Sequence, residues 1–315
     1  MTSDSNSLVT VRNLTFDYPT KRAITDTSFT IEEGTVTALV GPNGAGKTTL
    51  MKLIAAIEKP YSGTVIIDGI DTQEEPRECH SKLGFLPDFF GLYDQLTVKQ
   101  HLEHFAGIHK VPKNLWAERI DEIAEKIKIT ELLKRPASDL SRGQRQRLAV
   151  GAVIFHKPKL LLLDEPASGL DPQGRKDLSD LILSLNAEGI TLVVSSHILA
   201  ELADYSDRML TCSNGKVVAA ESLATDSTNS LAKISIKLRG SQEIAISKLK
   251  AIGFENPQLL ADQILIECEA NQERYHEVLK KLIDSGVEVY SFAPVKADIQ
   301  DVYFKHLGEG ATDES

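Results

Sequence analysis

The chain has 315 residues, room for roughly two domains at the usual ~150 residues each. Its 42% hydrophobic and 25% charged residues are ordinary globular values and exclude a disordered or fibrous protein. A net charge of −10 disfavours a globally basic nucleic-acid binder, and no apolar run approaches the ~20 residues that span a bilayer.

The amino end, Met1 to Ser7, is polar and lacks a basic-then-apolar leader. Up to about Ala220, short β-rich runs alternate with helical stretches, the pattern of a parallel sheet with crossover helices. Thr35 to Val40 reads as a buried strand. Gly41-Pro42-Asn43-Gly44-Ala45-Gly46-Lys47-Thr48 follows it, fitting G-x-x-x-x-G-K-[ST], and Lys47 to Ile57 supplies the helix this loop requires. Glycines let backbone N–H groups close around an anion, and the helix start adds partial positive charge. Lys47 is expected on the β- and γ-phosphates of a nucleotide and the Thr48 hydroxyl on Mg²⁺, with Thr49 beside them. Val65 to Ile67 and Leu83 to Leu86 are further strand candidates.

From about residue 88 to 140 the pattern turns helical. Thr97 with Gln100 forms a capping-box pattern, followed by Leu102, Phe105 and Ile108 and then by Ile120, Ile123 and Ile127 at helical spacing. This predicts a helical lobe set into the α/β core. Ser141 with Gln144 is a second capping box, whose helix presents unpaired N–H groups and a positive dipole end suited to an anion. Leu160 to Leu163 reads as a strand buried on both faces, delivering Asp164 and Glu165 to the C-terminal edge of the sheet, where ligands sit in such folds. Asp164 is expected to hold Mg²⁺ through water, and Glu165 to polarise the water that attacks the γ-phosphate. Thr191 to Ser195 is the next strand, with His197 just beyond it.

A polar stretch near residues 223–232 reads as a linker between a domain at 1–222 and a second at 233–315. There Ile234, Ile236 and Leu238 alternate as a strand. Ile246, Leu249 and Ile252 mark a helix stopped by Gly253, and Ile264, Ile266 and Cys268 alternate again. Tyr275, Val278, Leu279 and Leu282 share one helical face before Gly286. With a strand near Gln258 to Leu260 the order is β-α-β-β-α-β, a small ferredoxin-like module.

Leu140-Ser141-Arg142-Gly143-Gln144, lying just upstream of Asp164-Glu165, resembles the signature of ATP-binding-cassette (ABC) ATPases. The resemblance runs from about Leu8 to Ala220 and includes Tyr18, the phosphate loop, Ser168-Gly169-Leu170-Asp171 and His197. It implies a RecA-like P-loop core with an antiparallel β subdomain and an inserted helical subdomain. It also implies ATP and Mg²⁺ as ligands, Tyr18 stacking on adenine (Phe16 the fallback), and His197 as the switch histidine at the γ-phosphate. Each ATP is then pinned between Lys47 of one subunit and Ser141 and Gly143 of a head-to-tail neighbour, with Arg142 and Gln144 at the same seam and Asp171 linking the two sites. Arg142 replaces the commoner glycine. Asp88, after Phe85-Leu86-Pro87, stands where the family commonly has Gln; its shorter carboxylate is expected to reach the metal through a bridging water.

The tail Asp298-Ile299-Gln300-Asp301-Val302-Tyr303-Phe304 resembles the end of ATPases in the type-2 exporter branch. The expectation is therefore an ATPase subunit driving a separate membrane permease by ATP-dependent dimerisation, as a homodimer or with a related subunit. Its expected location is the cytoplasmic face of the membrane, with no nucleic-acid partner. The alternative is a soluble ABC ATPase working on DNA, ribosomes or assembly. The stretch between Lys47 and Asp164 is too short for the long coiled coil of DNA-repair relatives, and a second cassette is absent. A GTPase or kinase reading finds no N-K-x-D guanine reader in the sequence and leaves the signature unexplained. Two blander readings cover the remaining motifs: His101 and His104 as ordinary helix histidines rather than a metal pair, and Arg142, Arg145 and Arg147 as a solvated helix face. Cys79, Cys212 and Cys268 lack CxxC spacing and suit reduced thiols in a cytosolic protein.

Overall fold

The structure is a computed structural model that describes residues 7–223, 231–239, 242–251, 253–254, 257–260, 263–269 and 271–294. Contacts divide the chain into two units that meet in sequence at Glu221 and Ser222. The tail at 298–304, on which the exporter-branch resemblance rests, lies outside the described residues.

The first unit opens with a feature the apolar periodicity did not announce. Two twelve-residue strands, β1 (Ser7–Tyr18) and β2 (Lys21–Glu32), pair antiparallel and join β4 (Ser62–Ile67) and β5 (Ile70–Asp71) in the order β2-β1-β4-β5. Tyr18 thus ends the first long strand. Leu14, Ile24, Ile31, Val65 and Ile67 from this sheet are buried in one core with Leu39, Leu50, Met51 and Leu162.

Beneath it runs a six-stranded sheet in the order β10-β9-β3-β8-β7-β6. Its strands are β3 (Val36–Val40), β6 (Leu83–Leu86), β7 (Leu160–Leu163), β8 (Thr191–Ser196), β9 (Arg208–Ser213) and β10 (Lys216–Ser222). β3, β7 and β8 are buried at every position, which explains their unbroken apolar or small-residue sequences. Among the helices, α1 (Lys47–Ile54) follows β3, three residues shorter than the sequence pattern indicated because Ala56 turns into the left-handed region. α2 (Pro76–Lys82) precedes β6.

The helical lobe consists of α3 (Val98–Ile108) and α4 (Trp116–Lys126) with short 3-10 turns, and leads into α5 (Arg142–Val153). Both expected capping boxes are formed. Thr97 N–H donates to Gln100 Oε1 at 2.9 Å, and Ser141 N–H donates to Gln144 Oε1, also at 2.9 Å. Ile120, Ile123 and Ile127 are buried, but Ile108 lies on the exposed side of α3. α6 (Pro172–Ala187) starts at the Asp171 cap, and the short α7 (Leu199–Leu202) follows β8.

The second unit has the order β11 (Leu231–Arg239), α8 (Gln242–Ala251), β12 (Gln258–Leu260), β13 (Gln263–Glu269), α9 (Gln272–Asp284), β14 (Glu288–Pro294). Its antiparallel sheet runs β12-β13-β11-β14, the ferredoxin-like arrangement. Ile234, Ile236, Ile264 and Ile266 meet Leu249, Val278 and Leu282 in its core. β11 begins two residues inside the stretch expected as linker.

His101 and His156 serve the fold. His101 is buried in α3, taking a hydrogen bond from Tyr93 N–H at 2.9 Å and lying 3.1 Å from the Thr97 carbonyl. His156 stacks on His109 with ring centroids 4.0 Å apart and donates toward the Leu83 carbonyl at 3.1 Å. Burial, reinforced by His109, lowers the His156 pKa from 6.5 to about 4. The unfolded chain therefore binds the extra proton first, so stability is complete above pH 6.5 and is lost as pH falls toward about 4. Thermal melts across this window should fall less steeply for H156Q, which keeps a donor but does not titrate; parallel curves would contradict this.

Candidate active site

Parallel pairing brings four strand ends to one edge. In register, Leu86 sits beside Leu163, Leu163 beside Val194, and Val40 beside Ser196. The next residues along each strand are Asp88 after β6, Asp164 and Glu165 after β7, His197 after β8, and the phosphate loop after β3. The sheet itself thus assembles a cleft of about 480 Å³ lined by Tyr18, Lys21, Ala23, Pro42, Asn43, Gly44, Gly46, Lys47, Thr48, Thr49, Asp88, Glu165, Ser168 and His197.

Two glycines of the loop are dictated by crowding. A Cβ on Gly41 would lie 2.2 Å from the Cys212 carbonyl oxygen, and one on Gly46 would meet Ile24 and the Ala23 carbonyl at 2.9 and 3.0 Å. Gly46 also has φ of +106°, open to glycine at little cost. Gly41 and Ala45 are buried behind the loop, so they shape it from the rear. Lys47, only 6% exposed, donates to the Gly41 carbonyl at 2.7 Å and lies 3.6 Å from Glu165. Its ammonium therefore stands between the loop and the acid expected to activate water.

Tyr18 packs edge-on against Phe16 at 4.9 Å, with its hydroxyl 3.4 Å from that of Thr49. Phe16 is buried while Tyr18 is 37% exposed, so Tyr18 is the ring available for stacking. Lys21 and Ala23 were not read as site residues from sequence; the β1–β2 turn carries them in, and only that pairing reveals it.

The acids are crowded. Asp164 is 1% exposed; its Oδ1 accepts from the Ser195 hydroxyl at 2.6 Å, and its Oδ2 is buried with no hydrogen-bond partner among the described residues. A buried carboxylate oxygen without a partner fits a hard divalent cation, which prefers oxygen ligands; Thr48, whose hydroxyl is the other expected ligand, lines the cleft, and Asp164 lies behind it. Glu165 accepts from His197 Nδ1–H at 2.7 Å. Burial raises the Asp88 pKa, with Asp164 and Glu165 adding to the effect while Arg142 and His197 oppose it. Glu165 also has φ of +48°, a left-handed backbone that costs a non-glycine residue about 1–2 kcal/mol. Ser196 Oγ accepts from Ile198 N–H at 3.0 Å and reaches Glu201, fixing the chain just past His197.

The signature segment is elsewhere. Ser141, Arg142, Gly143 and Gln144 do not line this cleft. Arg142 lays its guanidinium against Gly169, where an added Cβ would lie 2.3 Å from its central carbon. Arg145 is held by Asp94 and the Ala137 carbonyl, and Arg147 approaches Asp177 at 3.8 Å, so these arginines are structural. Asp171 caps α6 by accepting from Gly174 N–H at 2.8 Å.

Residues 24–168 match the ABC transporter family. The chain is 33% identical over 296 residues to the ABC transporter ATP-binding protein YdbJ of Bacillus subtilis, covering 92% of this chain and 93% of that one. This chain is an ABC transporter ATP-binding subunit. A daunorubicin resistance ATP-binding protein, DrrA3 of Streptomyces coeruleorubidus, is 27% identical over 97% of each chain. The dimeric, ADP- and phosphate-bound ATP-binding cassette MJ0796 superposes with a TM-score of 0.62 at 26% identity, covering 68% of this chain and 98% of its own. The ABC subunit is thus an ATPase with the P-loop fold.

Because the Gly41 Cβ has backbone and not a flexible side chain against it, G41A should lower ATP affinity at least tenfold, about 1.4 kcal/mol. Fluorescent-nucleotide titration checks this; parent-like affinity would show that the loop tolerates the shift.

Proposed function

We propose that this ABC subunit powers an exporter by closing on ATP with a second ATPase subunit, identical or related. The observation that supports this most is the location of the signature. Its capped helix start offers N–H groups suited to an anion, yet none of its residues lines the cleft of its own chain. A neighbour turned head to tail supplies the missing half, with Ser141 and Gly143 over the γ-phosphate and Gln144 and Arg142 at the seam. Asp171, at the start of α6, links one site to the other.

Within each site Tyr18 stacks on adenine, and residues Gly41 to Thr49 wrap the phosphates with Lys47 neutralising β- and γ-oxygens. Thr48, Asp164 and Asp88 would hold Mg²⁺, the two aspartates through water, and the ion when bound would supply positive charge for the phosphate oxygens. Glu165 takes a proton from water as its oxygen attacks the γ-phosphorus and the bond to ADP breaks, leaving ADP and inorganic phosphate. His197 keeps the Glu165 carboxylate aimed and adds a donor near the transferred group. Closure follows from tighter ATP binding in the shared state, and hydrolysis releases it.

Among the described residues no helix is long and apolar enough to cross a membrane. In this reading the permease is a separate polypeptide, with this subunit at its cytoplasmic face. A nucleotide-binding domain at 1–222 followed by an accessory module at 233–315, with the exporter-type tail motif, fits that assignment, as does the similarity to a drug-resistance ATPase. The accessory module is assigned to stabilising or regulating the dimer.

E165Q should still bind ATP while turnover falls about 10²–10⁴-fold, the usual worth of a general base. Light scattering after gel filtration should then find a dimer only with ATP. Normal turnover would remove Glu165 from the chemical step, and a monomer at saturating ATP would remove the shared site.

A further inference from the structure

The Asp164–Glu165 pair depends on a third residue that neither sequence motif names. Ser195, fully buried at the end of β8, is set next to the pair by the register that places Val194 beside Leu163. Its hydroxyl has one proton to give and lone pairs to accept with, and both capacities are used. The proton goes to Asp164 Oδ1 at 2.6 Å, and the oxygen accepts from Glu165 N–H at 2.9 Å. The first bond turns the Asp164 carboxylate so that the other oxygen, Oδ2, is the one without a partner among the described residues. The second holds the peptide that enters Glu165, the residue with φ of +48°.

We propose that Ser195 is a positioning residue for hydrolysis, one hydroxyl presenting Asp164 Oδ2 to the cation and fixing the left-handed backbone that aims Glu165. Ser196, the adjacent hydroxyl, has a different task, since it binds Glu201 and Ile198 N–H on the far side of the strand end. The serine hydroxyl is suited to the place because it donates and accepts at once from a small side chain. Alanine removes both bonds, whereas threonine retains the hydroxyl. Ser195 does not line the cleft and bonds to Asp164 and Glu165, so its effect passes through the two acids. The inference rests on the assignment of Asp164 to the cation.

Mn²⁺ uptake by the full-length protein–ADP complex, followed by electron paramagnetic resonance, tests both layers. S195A should take up Mn²⁺ about tenfold more weakly, S195T within about threefold of the parent. ADP affinity without metal should be unchanged in both. With ATP and Mg²⁺, kcat for S195A should fall about tenfold or more while KM moves less. D164N is the reference arm. If D164N keeps parent-like Mn²⁺ uptake, the cation assignment itself fails and this inference with it. If D164N loses Mn²⁺ while S195A binds it like the parent, only the role of Ser195 is overturned. Equal loss of metal-free ADP affinity in S195A would also overturn it, since that marks collapse of the strand edge. Should S195A not fold, S195C keeps the volume with a weaker donor and carries the same expectation.

Discussion

The structure depends on one electrostatic constraint: three carboxylates, from Asp88, Asp164 and Glu165, are brought to one edge of a buried sheet and require positive charge there. Like charges about 4 Å apart at an effective dielectric near 20 repel by roughly 4 kcal/mol, so such a cluster is costly unless cations face it. Within the chain the opposing charges are Lys47, 3.6 Å from Glu165, and Arg142 and His197, which act on Asp88. Asp88 bears the strain visibly, its acid weakened by burial and by its two neighbours. A divalent cation on Asp164 would relieve it, and the phosphates of ATP would in turn balance that cation and the lysine. On the proposed reading, the site is therefore complementary to a metal–nucleotide pair rather than to either alone.

The sheet imposes this arrangement because parallel strands place all their C-terminal ends on one side. Four consecutive neighbours in space, β6, β7, β8 and β3, each contribute one chemical element within two residues of the strand end. Rigid placement matters more than loop sequence here, and the serine at the end of β8 extends the same logic to the side chains. The signature helix is organised differently. It begins where the helical lobe ends, is stabilised by its own capping box, and reaches back to the core through Arg142 lying over Gly169.

What the sequence revealed follows from how local each signal is. The phosphate loop, the four leucines of β7 and both capping boxes are set by neighbours within a few residues, and each appears where its pattern predicts. The β-α-β-β-α-β order of the second unit was legible because alternation and helical spacing are clean there. By contrast β1 and β2, part of the antiparallel subdomain that the family resemblance implies, do not show in their own periodicity because their pairing is irregular, with register shifts between Val11 and Leu14 and again before Phe16, and with Asn13 and Asp26 in the left-handed region. Such breaks erase a period of two. Lys21 and Ala23 reach the cleft only through that hairpin, and Ser195 differs from Ser196 only through the pairing of β7 with β8. Ile108 kept the helical period of α3 yet faces outward, since a lobe helix buries just one narrow stripe.

The central claim, that each ATP is enclosed by the phosphate loop of one molecule and the signature of another, is open to a direct measurement. Cys79, Cys212 and Cys268 are all buried, so single cysteines introduced on exposed positions can be addressed selectively. Chains carrying N43C and a separate tag can be mixed with chains carrying S141C and treated with a short bifunctional maleimide in the E165Q background. The account predicts a cross-link joining the two differently tagged chains that forms with ATP and Mg²⁺ and disappears without nucleotide. Absence of that inter-chain product at saturating ATP, with both cysteines shown to be reactive, would contradict it.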